Sequence, residues 1–104
     1  MSFHAAVVYP EEPGMTFDES YYVQNHMPLV DRVWKKYGLE SWRIVKYTQA
    51  FDGSPPKYRI SASLVWQSED SFRKALTDPE VGAIFADIPK FTNTKPITLA
   101  GVAL

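Results

Sequence analysis

A chain of 104 residues that is 45% hydrophobic and 14% aromatic can build one small globular core and has no room for a second. A formal charge of −1 without any Lys- or Arg-rich run excludes an electrostatic surface for nucleic acid or an anionic membrane, and zero cysteines exclude disulfides, thiolate catalysis and cysteine-held zinc or iron–sulfur centres. No signal peptide or spanning segment can be read, so a cytoplasmic protein with a neutral or small partner is expected.

Phe3 to Tyr9 is an apolar run closed by Pro10, Pro13 and Gly14, and reads as a first strand. Phe3, Ala5, Val7 and Tyr9 fall on one face and His4, Ala6 and Val8 on the other, so both faces should be covered. His4 is a candidate acid–base group that equally fits a solvated or edge position.

Thr16 with Glu19 three residues on has capping-box spacing, which predicts a helix starting at Thr16. At helical spacing Tyr22, His26, Leu29, Val30, Val33 and Tyr37 share a face, while Glu19, Asn25, Arg32, Lys35 and Lys36 lie mainly elsewhere. Pro28 cannot donate to the carbonyl of Gln24 and predicts a kink beside His26; Gly38 predicts the C-terminal cap. His26, one turn beyond Tyr22, is the group of this face that titrates near neutral pH, and burial could tune its protonation. The same pattern suits a histidine that is only packed in a core.

Ser41 to Gln49 alternates as a second strand, with Trp42 and Ile44 opposed to Arg43, Val45 and Tyr47. After the turn at Asp52 to Pro56, Tyr58 to Trp66 reads as a third strand, antiparallel to the second, with Tyr58, Ile60, Ala62, Leu64 and Trp66 on one face and Ser61 and Ser63 on the other. Ser68, followed by Glu69 and Asp70, starts a helix with Phe72, Ala75 and Leu76 inward. Asp78 and Pro79 end it and open a short helix, Glu80 to Asp87, with Val81, Ile84 and Phe85 inward. Ile97 to Leu104 reads as the last strand.

Strand, long helix, two strands, helix pair and strand make an α+β, ferredoxin-like βαββαβ arrangement: one four-stranded antiparallel sheet with helices on one face. The other face lacks cover. Pairing with a second copy, sheet against sheet, would supply it and give a homodimer of the dimeric α/β barrel type.

Tyr9-Pro10, Met15-Thr16-Phe17-Asp18, Tyr21-Tyr22, His26-Met27-Pro28-Leu29 and Gly38-Leu39 resemble the EthD (ethyl tert-butyl ether degradation) family, as do Trp66, Ser68, Asp78-Pro79-Glu80 and Phe91 towards the end. The resemblance spans nearly the whole chain, so residues 1–104 read as a single EthD-like domain. It implies a dimeric α/β barrel in the cytoplasm, in a family many of whose members have no assigned reaction. The wider superfamily includes cofactor-free oxygenases, lactone isomerases, cyclases and dehydratases, and haem-binding branches, so the fold leaves the chemistry open.

The two histidines form no ligand cluster with each other or with carboxylates at suitable spacing, and there is no phosphate-binding loop or serine elbow. Cofactor-independent chemistry remains. The expected site is a cavity between helices and sheet lined by Tyr22, Leu29, Val33, Trp66, Phe85, Ile88 and Phe91, with His26 as its polar group. Three readings stand. In the first, His26 is general acid or base on an aromatic or lactone-like metabolite, with Tyr22 orienting it or holding an oxyanion. In the second, the same pocket carries a hydrophobic metabolite without catalysis. In the third, the aromatics are core packing in a dimer that has no ligand.

Overall fold

The computed structural model describes residues 2–104. In chain order its elements are β1 (Phe3–Pro10), α1 (Glu19–Tyr21), α2 (Met27–Trp34), β2 (Leu39–Lys46), β3 (Tyr58–Trp66), α3 (Glu69–Ala75), α4 (Val81–Asp87) and β4 (Ile97–Val102). The strands form one antiparallel sheet in the order β2-β3-β1-β4, the ferredoxin-like arrangement, with the helices on one face.

Directly opposed residues of antiparallel strands share a face, so the register assigns each side chain to a side of the sheet. Ala5 lies between Leu64 and Ala100, and Val7 between Ala62 and Thr98. With Phe3, Tyr9, Ile60 and Trp66 they form the helix-covered face, where these aromatics, Ile60, Ala62 and Leu64 are buried. The opposite face carries the row Val45, Ser61, Val8, Ile97 and beside it Arg43, Ser63, Ala6, Leu99. Val45, Ile97 and Leu99 are exposed there in the single chain. β4 stops at Val102, short of Leu104, and is exposed along its length.

The first helix does not start at Thr16. Its cap is Asp18, whose carboxylate accepts the Tyr21 N–H at 3.0 Å. Thr16 is committed across the chain instead: its N–H goes to Asn93 Oδ1 and its carbonyl accepts from Thr92 Oγ1. The kink expected at Pro28 takes the form of a π turn, Tyr22–His26, in which the Met27 N–H reaches back to the Tyr22 carbonyl. Pro28 then sits in the first turn of α2, where a missing donor costs little.

That turn inserts one extra residue into the helical count and moves the apolar face on by about one position. Met27, Val30, Val33 and Trp34 are buried behind it, whereas Leu29 and Tyr37 are only half-buried. Gly38 does close the helical run: its φ of 104° is a left-handed cap, and a Cβ there would meet Ser71 Oγ at 2.9 Å.

Ser68 caps α3 by accepting the Ser71 N–H at 3.1 Å. Asp78 does not cap a helix starting at Glu80; it ties the turn before α4 to the end of the first helical run, accepting from the Glu80 N–H at 2.7 Å and the Tyr37 hydroxyl at 2.6 Å. Phe85 and Leu76, expected to point inward, are 47% and 42% exposed.

Candidate active site

A cavity of about 340 Å³ lies between the helices and the covered face of the sheet, within the size range of small-molecule sites. Its space comes from small side chains: Ala5, Ala62 and Ala100 form much of its floor, where larger residues would have packed against the helices. Met27, Val30, Trp34 and Ile84 supply apolar wall, and the half-exposed Leu76 and Phe85 edge it on the solvent side. Tyr9, Tyr22 and His26 belong to its lining, as does Trp66, whose Nε1 is buried and has no hydrogen-bond partner among the described residues.

His26 ends the π turn with its ring nearly parallel to that of Tyr22, centroids 5.5 Å apart and planes at 14°, and with Phe91 at 4.6 Å on a tilted approach. The π turn brings Tyr22 and His26 onto one side of the helix. Asp87, at the end of α4, receives the ring from across the gap: Oδ2 lies 2.9 Å from His26 Nδ1, with both side chains buried. The other carboxylate oxygen accepts the Tyr21 hydroxyl at 2.7 Å and has Lys90 Nζ at 3.7 Å.

Burial pushes the His26 pKa down, and although the Asp87 hydrogen bond and charge pull the other way, the net direction is below the usual histidine value. Burial works against the Asp87 carboxylate, yet hydrogen bonds from His26 and Tyr21 outweigh it and hold its pKa below the ordinary range. The pair at neutral pH is therefore a neutral imidazole and an ionised carboxylate. A carboxylate can only accept, so the imidazole proton is on Nδ1 and Nε2 is left with a free lone pair. No described residue bonds Nε2, and the ring lines the cavity. This is the arrangement of a general base held by its partner carboxylate.

The cavity brings together Tyr22, His26, Trp66, Phe85 and Ile88 of the residues expected in it. Leu29, Val33 and Phe91 are not in its lining. The π turn rotates Leu29 away and Val33 is buried in the core, while Phe91 packs behind the site against both Tyr22 and His26. Sequence reasoning missed Asp87, Tyr21 and Tyr9. Asp87 left one signal, being three residues beyond Ile84 and so an acidic group on the apolar side of its helix. His4 lies exposed on the open sheet face, opposite Val65 and Gly101, and is not part of the cavity lining. Among the described residues, no three of His, Cys, Asp and Glu are grouped as a metal site requires, and no helix is long and apolar enough to cross a membrane.

The EthD domain model matches residues 12–95. Among solved structures, an EthD-like protein of Ralstonia eutropha superposes with a TM-score of 0.85 at 24% identity, covering 96% of this chain and 89% of that one. An ethyl tert-butyl ether degradation family protein of Bacillus halodurans gives 0.78 at 18% identity over 100% of both chains. A dimeric ferredoxin-like protein of unknown function from a Jannaschia species gives 0.65 at 12% identity over 98% of both. At these identities the likeness is one of fold. No curated protein matches the chain.

Proposed function

Because this chain belongs to the EthD family, a family whose fold alone names no reaction, we propose that its cavity performs cofactor-independent proton transfer on a small hydrophobic metabolite, aromatic or lactone-like. The observation that carries this is the buried His26–Asp87 contact of 2.9 Å at the wall of an otherwise apolar cavity. Nδ1 is satisfied by the carboxylate, as any buried imidazole N–H must be, and Nε2 has no bond to a described residue, which supports its use as a proton acceptor.

In this reading His26 Nε2 accepts the substrate proton. The imidazolium so formed is stabilised at once by Asp87, which Tyr21 holds in place. Tyr22 fixes the imidazole plane by stacking on it. The apolar wall binds the substrate and keeps water from competing for the base. The working form is a cytoplasmic homodimer joined across the open sheet face, whose apolar row Val45, Val8 and Ile97 needs cover.

The test is turnover and ligand affinity measured side by side on aromatic and lactone candidates. His26→Ala should lower turnover by roughly 10²-fold or more while affinity persists. Turnover that survives in His26→Gln would remove the base. Tight binding without turnover by the unmodified protein would leave a carrier.

A further inference from the structure

Of the six tyrosines, Tyr21, Tyr37 and Tyr47 give or share their hydroxyls with Asp87, Asp78 and Ser61 at 2.7, 2.6 and 2.7 Å. Tyr58 is open to solvent. Tyr9 and Tyr22 differ from all of these. Each is 1% exposed, each lines the cavity, and neither hydroxyl has a hydrogen-bond partner among the described residues. They are neighbours, with ring centroids 5.8 Å apart and planes at 82°. Their rings are held firmly: Phe17 meets Tyr9 edge-on at 5.2 Å and Tyr22 at 5.1 Å, and Phe91 packs against both.

Neither oxygen is among the buried polar atoms without a partner, which for the described residues is Trp66 Nε1, so the two hydroxyls open onto the cavity, where a bound acceptor can take their hydrogen bonds. Burial also raises the pKa of both, and the nearness of Tyr22 raises that of Tyr9 further, so both remain protonated donors. Among the described residues, no Asp, Glu, Lys or Arg lines the cavity, so none of them would neutralise a charged ligand before reaction.

We propose that Tyr9 joins Tyr22 as a pair of hydroxyl donors to one carbonyl oxygen, and that the substrate is therefore an uncharged, enolisable carbonyl compound. This rests on the reading of His26 as the proton acceptor. As His26 Nε2 takes the proton from the carbon next to the carbonyl, the C–H electron pair becomes the new C=C bond and the C=O pair moves onto oxygen. The enolate oxygen is held by the two hydroxyls, and the imidazolium by Asp87. Return of the proton to the same carbon gives exchange; where the substrate carries a C=C at its β,γ position, return to the γ-carbon with the double bond shifted to α,β completes an isomerisation with no oxidant or reductant.

The experiment compares binding of the bicyclic ketone β-tetralone with that of its parent hydrocarbon tetralin, and follows exchange of the ketone's α-protons in deuterated buffer by NMR. The unmodified protein should prefer the ketone by about tenfold or more, and Tyr9→Phe and Tyr22→Phe should each remove most of that preference while tetralin affinity holds. Equal affinity for the two probes, no binding of either, or a preference that survives both substitutions overturns the proposal. So does loss of tetralin binding in both variants, because the hydroxyls would then serve the fold. Deuterium exchange abolished by His26→Gln supports both claims together. A ketone preference that depends on the tyrosines, without any exchange, overturns the base and the requirement for an enolisable ketone, while the carbonyl contact stands.

Discussion

Asp87 accepts the Nδ1 proton of His26 at 2.9 Å, across 61 positions of sequence, and this contact decides which nitrogen of the ring faces the cavity. Replacing Asp87 by Asn keeps the size and offers an N–H in place of an acceptor. The imidazole can then present Nδ1 as acceptor and carry its proton on Nε2, the wrong nitrogen for a base. Asp87→Asn should therefore lower turnover by roughly 10²-fold while leaving ligand affinity nearly unchanged. It should also lower the His26 pKa further, because the carboxylate is what partly offsets burial. A pH profile of kcat and NMR of the imidazole nitrogens check both.

Tyr21 touches the carboxylate rather than the imidazole, which makes it a positioning residue. In Tyr21→Phe the Asp87 pKa should rise, since that hydroxyl is one of the bonds that hold it down. Turnover should fall by only about two- to fivefold, far less than with Asp87→Asn. Equal losses in the two variants would mean that Tyr21 reaches the substrate itself.

Stability should decline at both ends of the pH scale, for different residues. The folded pKa of His26 lies below its ordinary 6.5, so the unfolded chain takes the proton first; stability is full above about 6.5 and is lost as pH falls through the folded value. Asp87, also lowered, adds a loss in the same direction below its ordinary 3.8. Tyr9 and Tyr22 are raised above 10.0, so their contribution is full below that and is lost as pH climbs above it. Urea midpoints measured against pH check this, and His26→Gln should flatten the first part of the acid limb.

Ile97 stands at the edge of the open face, opposite Val8, and is 44% exposed in the single chain. If a second copy covers that face, Ile97→Asp places an unpaired carboxylate in the interface at a cost of several kcal/mol, on the order of a hundredfold or more in the dissociation constant. Light scattering at micromolar concentration should show a dimer for the parent chain and a monomer for the variant. A parent chain that is already monomeric would remove the dimer.

The second and third strands were legible because their alternation survives in the fold; Ile60, Ala62, Leu64 and Trp66 are buried as their spacing says, and Trp42 and Ile44 lie deeper than Arg43 and Val45. The helix around His26 was legible only in part. Thr16 looks like a cap but is occupied by Thr92 and Asn93, contacts between opposite ends of the chain that no local pattern encodes. Pro28 announced a disturbance without giving its kind, and the π turn it accompanies is what carries Leu29 away from the cavity and Met27 and Trp34 into the buried face. Asp87 was hidden by distance in sequence. Tyr9 was visible as one aromatic of an apolar strand, but only the folded molecule shows its hydroxyl beside the cavity without a partner.

The most direct measurement is a nitrogen-detected NMR titration of His26 in the unliganded protein. The expected result is a proton on Nδ1 and none on Nε2 at neutral pH, with a pKa below 6.5. A proton on Nε2, or a ring that titrates at about 6.5 like a free imidazole, would contradict a cavity-facing base held by Asp87.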